Sequence, residues 1–442
     1  MIKENTVLVL GAGASMDYGF PSGRELIQDI VNLIEGTLLY GKPFIAKIYL
    51  ALLVCRYYKL KGTAIPLTEA YTAIDEFHST FVKASPASID DFLHNISKTN
   101  PIYVVVGKLC ITILISRHEN ESKNYLTNSV DTDKRHRYYK ELESIYKNDD
   151  ELRNIWNKQV TLSGLIPKSH YVLADGWYEY LWEKIYKGNI EQNLRKITII
   201  TFNYDRSLEQ FLHTRIMNLH GLTTEESASL LNNNLKIHHV YGKIGCLPWS
   251  PSDNKSKLIN PYEPFNIYEA CKDIEDYTNT AESMEEFVDF LTNKVTEQKE
   301  AIDIIKKIEK GFGFQNQMVS SFNSKADVIC AAIDNIKTYT ENADAFDSFL
   351  IKKLSWAKRL FFLGFGYNPR NIELLKPKKN LLSVIHTIAG TTYGFGAAQI
   401  NDAVQNITKT FHGFFYIDRS PYFQSQYSEY KIKEYFMHVL DL

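Results

Sequence analysis

Asn203, Asp205, His238 and His239 are side chains suited to chemistry at the ends of strands, and Gly11-Ala12-Gly13-Ala14-Ser15 is backbone suited to a phosphate. An Asn amide both donates and accepts hydrogen bonds, which suits positioning work. A strand puts successive side chains on opposite faces, so His238 and His239 point away from each other. The Gly-rich turn lets main chain come close to a pyrophosphate. It should lead into a helix from Gly23 through Ile34, whose N-terminal amides and dipole favour a bound anion. Met16 stands where a dinucleotide fingerprint would carry its third glycine. Taken alone, the stretch fits either a nucleotide cradle or a plain strand-to-helix turn.

The elements that must position these residues read as buried parallel strands. Val7 to Leu10 is a short aliphatic run ahead of the glycines. Lys196 to Asp205 is a second strand, ending in polar residues, and Lys236 to Gly245 a third, running into a turn. Leu360 to Tyr367 opens onto Gly364 and Gly366, and a strand over Leu381 to Ile388 is followed by Gly390 and Thr391. In open α/β sheets ligands lie beyond the carboxyl ends of strands, and Asn203 and Asp205 stand at such an end.

Between these strands the texture is helical. Residues 32–195 alternate amphipathic segments with polar breaks. Within them Ser88 has the spacing of an N-cap, with Asp91 three residues on, and the Asp90-Asp91 pair reads equally as a helix start or as carboxylates near a site. Asn120 to Glu151 is strongly charged and reads as a surface helix or loop, with Asp149, Asp150 and Glu151 as a solvated end. Trp177, Tyr180, Leu181, Trp182 and Ile185 follow a three- and four-residue rhythm that suits core packing. Residues 250–353 are charged and helical, with a long helix from Ala281 to Lys310 that ends before Gly311 and Gly313; Glu285 and Glu286 are its solvated face. The pattern predicts an α/β fold. A Rossmann-like, mostly parallel sheet comes from 1–31, 196–249 and 354–442, and insertions 32–195 and 250–353 form a second, helical subdomain.

The chain has 442 residues, with 50 Lys plus Arg against 52 Asp plus Glu and a net charge of -2, which argues against nucleic-acid binding through general basicity. Its five cysteines are scattered without a C-x-x-C pair, as in a reducing compartment, and offer no zinc site or other metal site. The greasiest segments, Ile45 to Cys55 and Tyr103 to Ser116, are interrupted by Lys47 and by Gly107-Lys108. They fall short of the ~20 residues of a membrane span, and residues 1–6 have no signal core. A cytoplasmic protein without membrane contact is expected.

The succession GAGAS, TFNYD, HVYG, LGFGY and GTTYG, each after a strand, resembles the sirtuin superfamily, and within it the zinc-free sirtuin-like NAD hydrolases of bacterial antiphage defence. These five short motifs cover a small part of the chain but run from one end to the other. The resemblance implies NAD as substrate, bound with Gly11, Ala12, Gly13 and Ser15 along the diphosphate, Pro21 and Ser22 nearby, and Gly364, Gly366, Gly390 and Thr391 on the adenosine side. It implies that Asn203 orients the ribose or the attacking water and that Asp205 holds the nicotinamide carboxamide. Deacylating relatives carry a catalytic His before a Gly, where this chain has Tyr241-Gly242. His239, taken to share a face with Tyr241, is the expected general base, His238 the runner-up, and a structural role for both the alternative. The family's four-cysteine zinc ribbon is missing, which weakens a lysine-deacylase reading. The remaining alternative is a module that senses NAD or ADP-ribose without turnover. Gating by homo-oligomer assembly, and by a separate partner such as a DNA-translocating ATPase, is expected by analogy with such relatives.

Overall fold

The structure is a computed structural model that describes residues 2–37, 43–97, 99–121, 176–250, 326–338, 341, 343–376, 385–392 and 394–411. The readings made for 120–151 beyond residue 121, for Ala281 to Lys310, Glu285 and Glu286, for 377–384 and for the C-terminal tail lie outside these residues.

Five strands form one all-parallel sheet in the order β3-β2-β1-β4-β5. They are β1 Thr6–Leu10, β2 Ile197–Thr201, β3 Lys236–His239, β4 Arg359–Leu363 and β5 Thr387–Gly390. The chain winds outward from β1 through β2 to β3, then returns to the far side of β1 for β4 and β5. The switch point therefore lies between β1 and β4, where doubly wound sheets bind ligands. Each residue of β1 and β2 is buried, as expected of parallel strands covered on both faces.

One face carries α1 Gly23–Ile34, α2 Pro43–Leu60, α3 Leu67–Ala84, α4 Ile89–Ile96 and α5 Pro101–Glu121, joined by a helical segment over 326–333. The other carries α6 Trp177–Tyr186, α7 Ile190–Arg195, α8 Ser207–His220 and α9 Thr224–Asn234. Later helices, α10 Ala343–Trp356, α11 Pro369–Leu374 and α12 Ala397–Phe411, return to the first face. The described parts of insertion 32–195 are thus divided between the two faces rather than gathered in one helical subdomain, since α6 and α7 pack with the second core.

α1 has the predicted limits, fixed at its start by a capping box in which Ser22 accepts from the Glu25 amide and Glu25 from the Ser22 amide. Ser88 likewise caps α4. β2 ends at Thr201, not Asp205, and β5 begins at Thr387, so the strand predicted over Leu381 to Ile388 is displaced toward Gly390. Helix α5 spans 21 residues, longer than its sequence reading allowed, and is apolar enough to cross a membrane. Most of it is buried instead: Val106, Leu109, Cys110 and Ile111 lie in the core with the apolar faces of α1 to α4.

Candidate functional site

The glycines after β1 pack against those after β4. Gly11 N–H donates to the Leu363 carbonyl and Gly13 N–H to that of Gly364, while Ala14 and Ser15 donate to Gly11 and Ala12. A Cβ on Gly11 would lie 2.6 Å from the Gly364 oxygen, and one on Gly364, at φ +56°, would lie 2.2 Å from the Ala14 nitrogen. Glycine is therefore required here so that two main chains can touch. Three of the residues expected along a diphosphate, Gly11, Gly13 and Ser15, have their amides committed to protein carbonyls instead. Trp177 Nε1 donates to the Ala14 carbonyl at 2.7 Å, pinning the loop from the side of α6.

Beyond the loop, the tips of β1, β2 and β3 converge. Asn203 is 8% exposed, and its Nδ2 donates to the Gly11 carbonyl and to Ser15 Oγ, both at 3.0 Å. Ser15 Oγ in turn donates to Asp205 Oδ2 at 2.9 Å, while Asp205 Oδ1 accepts from the amide and hydroxyl of Ser207. Asp205, one residue before the N-cap Arg206, thus holds the first amide of α8, and the polar residues after Thr201 lie outside the sheet. Burial pushes its carboxyl above the usual range, against the pull of the Ser207 and Ser15 hydrogen bonds. Both oxygens are occupied, so its expected grip on a carboxamide would require exchanging these partners.

His239 carries the network to β3. Its Nδ1 lies 2.9 Å from the Asn203 carbonyl oxygen, and its Nε2 lies 2.7 Å from Glu209 Oε1. Lys243 approaches the same carboxylate at 3.4 Å. Burial alone would raise the Glu209 carboxyl, but the charges of His239 and Lys243 and the His239 hydrogen bond bring it down to about 2. A general base needs a ring nitrogen free to take a proton, and both nitrogens of His239 face acceptors. The general-base expectation for His239 does not fit this arrangement.

His238 points to the opposite face, stacked between Phe346 and Phe349, where burial first, and the neighbouring His239 charge second, bring it down to about 4. It has no access to Asn203. Tyr241 also lies on that face, against Phe202 and Tyr204, with its hydroxyl donating to Asn371. It does not share His239's face as expected, because β3 stops at His239 and the chain turns at Gly242, φ +72°.

Ser15, Asn203, Asp205, Glu209 and His239 line a small cavity closed by Tyr178 and by the apolar walls Leu10, Ile199, Leu208 and Ile237. The space it encloses is about 10 Å³. That is room for about one water, far below the ~300–1,000 Å³ of a full ligand pocket, so a sugar or a ring would lie at its mouth. Asn203 Oδ1 is buried there without a hydrogen-bond partner. Of the other expected residues, Ser22 caps α1, with Pro21 half-buried beside it. Gly364, Gly390 and Thr391 lie across the switch point, where Thr391 Oγ1 accepts from the Gly364 amide, and Gly366 faces open space.

Sequence reasoning missed Glu209, Tyr178 and the buried pair Arg206–Glu119. Arg206 is fully buried, and both oxygens of Glu119, at the end of α5, accept from its guanidinium, one of them also from its amide. The pair ties the residue next to Asp205 to the first helical face. An acidic residue in the first turn of α8 was the only sequence signal for Glu209; its partner is thirty positions away. Compared with protein-family models, curated proteins and solved structures, the chain finds no match.

Proposed function

We propose that the protein is an NAD glycohydrolase that releases nicotinamide and ADP-ribose. The observation that carries this reading is the Asn203 Oδ1 acceptor, buried and unpartnered at a small cavity beyond the strand ends. A buried acceptor left alone costs about 1–3 kcal/mol, so a site that keeps one is shaped for a donor brought by a ligand. A ribose hydroxyl or the attacking water would supply it. The attacking water would occupy this cavity, with the nicotinamide ribose at its mouth and the adenosine end crossing toward Gly364, Gly366, Gly390 and Thr391.

The reaction asks little acid–base chemistry of the protein. The C1′–N bond breaks with its electron pair passing to the ring nitrogen, which turns neutral. Water adds through oxygen to the oxocarbenium-like carbon, and its proton goes to solvent. Orientation of sugar and water is then the main contribution of side chains. Asn203→Ala should abolish NAD loss, measured by chromatography of nicotinamide and ADP-ribose, with the thermal unfolding midpoint retained. Unchanged turnover in that folded variant would refute the assignment.

A sensor that binds without turnover is the second reading, and the absence of a free base nitrogen on His239 favours it. Calorimetric binding of NAD or ADP-ribose with no product formed, alone or in any assembly, would select it.

A further inference from the structure

We infer that His239 is a positioning residue rather than a base: fully protonated, it is clamped between the Glu209 carboxylate and the Asn203 main-chain carbonyl, and so fixes the β2 tip that presents the Asn203 amide. The inference rests on the hydrolase reading for its kinetic arm only. The geometry is one of complementarity. A neutral imidazole has one donor and one acceptor, whereas the imidazolium has two donors. Nδ1 faces a carbonyl oxygen at 2.9 Å and Nε2 a carboxylate oxygen at 2.7 Å, so only the doubly protonated ring satisfies both.

The setting supports a fixed charge. The side chains of His239 and Glu209 are 6% and 9% exposed, and a pair so placed holds its geometry tightly. The charged groups against the ring are Glu209 from α8 and, through the same carboxylate, Lys243 from the turn after β3, while His238 faces away. The Asn203 amide hydrogen is held by Thr201 Oγ1 and its carbonyl by His239, so the main chain on both sides of the side chain is anchored. With Nδ2 also taken by Gly11 and Ser15, Oδ1 is left aimed at the cavity. Glu209 acts at one further remove, by holding the ring that holds Asn203.

Two substitutions separate the roles. The side-chain nitrogen of His239→Asn can stand near Nδ1 and keep the donor to Asn203, whereas that of His239→Gln stands nearer Nε2 and keeps only the Glu209 contact. A general base is worth ~10²- to 10⁴-fold, so both variants should lose that much if His239 were one. Positioning predicts that kcat for His239→Asn stays within ~10-fold of the parent while His239→Gln falls ~100-fold or more, the range set by misplacing a reacting group. Equal, large losses in both would overturn the proposal.

A second measurement does not depend on turnover. With ¹⁵N-labelled histidine in the full chain at neutral pH, both ring nitrogens of His239 should show the protonated shift and a directly bonded hydrogen, with assignment by loss of the signal in His239→Asn. In Glu209→Gln one nitrogen should become bare at the same pH. A bare nitrogen in the parent protein would overturn the clamp. Absence of NAD consumption in every assembly state, alongside a doubly protonated ring, would sink the hydrolase reading and leave the clamp standing.

Discussion

At the residue scale, the site is governed by which buried polar atoms have partners. Asn203 spends its two amide hydrogens on Gly11 and Ser15 and keeps its oxygen for the cavity. On the opposite face, Asp90 accepts from the Tyr204 hydroxyl. Burial raises its carboxyl to about 6, with help from the Asp91 charge and against the Tyr204 and Ser88 hydrogen bonds. Because the folded value exceeds the unfolded one, the folded state holds the extra proton between about pH 4 and 6, and stability falls as pH rises through that window. Asp90→Asn removes the buried charge but keeps an acceptor for Tyr204. It should be about 1–2 kcal/mol more stable than the parent at pH 8, and equal to it near pH 4. Urea midpoints at the two pH values check this; a difference independent of pH would exclude it.

At the element scale, β2 and the turn into α8 act as one unit. Thr201 ends the strand, Asn203 and Asp205 turn inward, and Arg206 reaches Glu119 across to α5. Breaking a buried ion pair by removing one charge strands the other, at about 3–5 kcal/mol. Glu119→Gln should therefore lower the unfolding free energy by about that much, while Glu119→Leu combined with Arg206→Met recovers most of it. A double variant no more stable than the single one would show that the pair is not the cause. Much of this scale was legible in the sequence. The limits of α1 were read from the Gly-rich turn that precedes it, and the strand-end placement of Asn203 from a buried run meeting polar residues. The rest depended on contacts that spacing cannot reveal. Tyr241 changed face because alternation fails where a strand stops, and β5 runs past Ile388 to Gly390 because Ala389 and Gly390 continue the pairing with β4. Glu209 was invisible until the fold set α8 beside β3.

At the scale of the whole molecule, the all-parallel sheet is of the Rossmann-like kind expected, and Ser15, Asn203 and His239 meet at the carboxyl ends of its strands. A hydrolase of NAD left running would starve its host, so we expect turnover to depend on assembly. Sizing the full chain by light scattering, with NAD loss tracked in each fraction, should place activity in a homo-oligomer or in a complex with a partner such as a DNA-translocating ATPase. Full activity in a monomer would remove the gate from the proposal.

The central strand has a consequence for biosynthesis. Thr6 pairs with Ile197 on one side and with Arg359 on the other. β1 thus waits for its second neighbour until the chain has been made as far as β4, Arg359–Leu363. Until then an apolar ribbon, Val7 to Leu10, offers unpaired amides and carbonyls to any neighbouring chain. Sheltering that ribbon during synthesis is a task the nascent protein hands to its surroundings, and it makes yield in the cell more sensitive to translation speed than the finished fold would suggest.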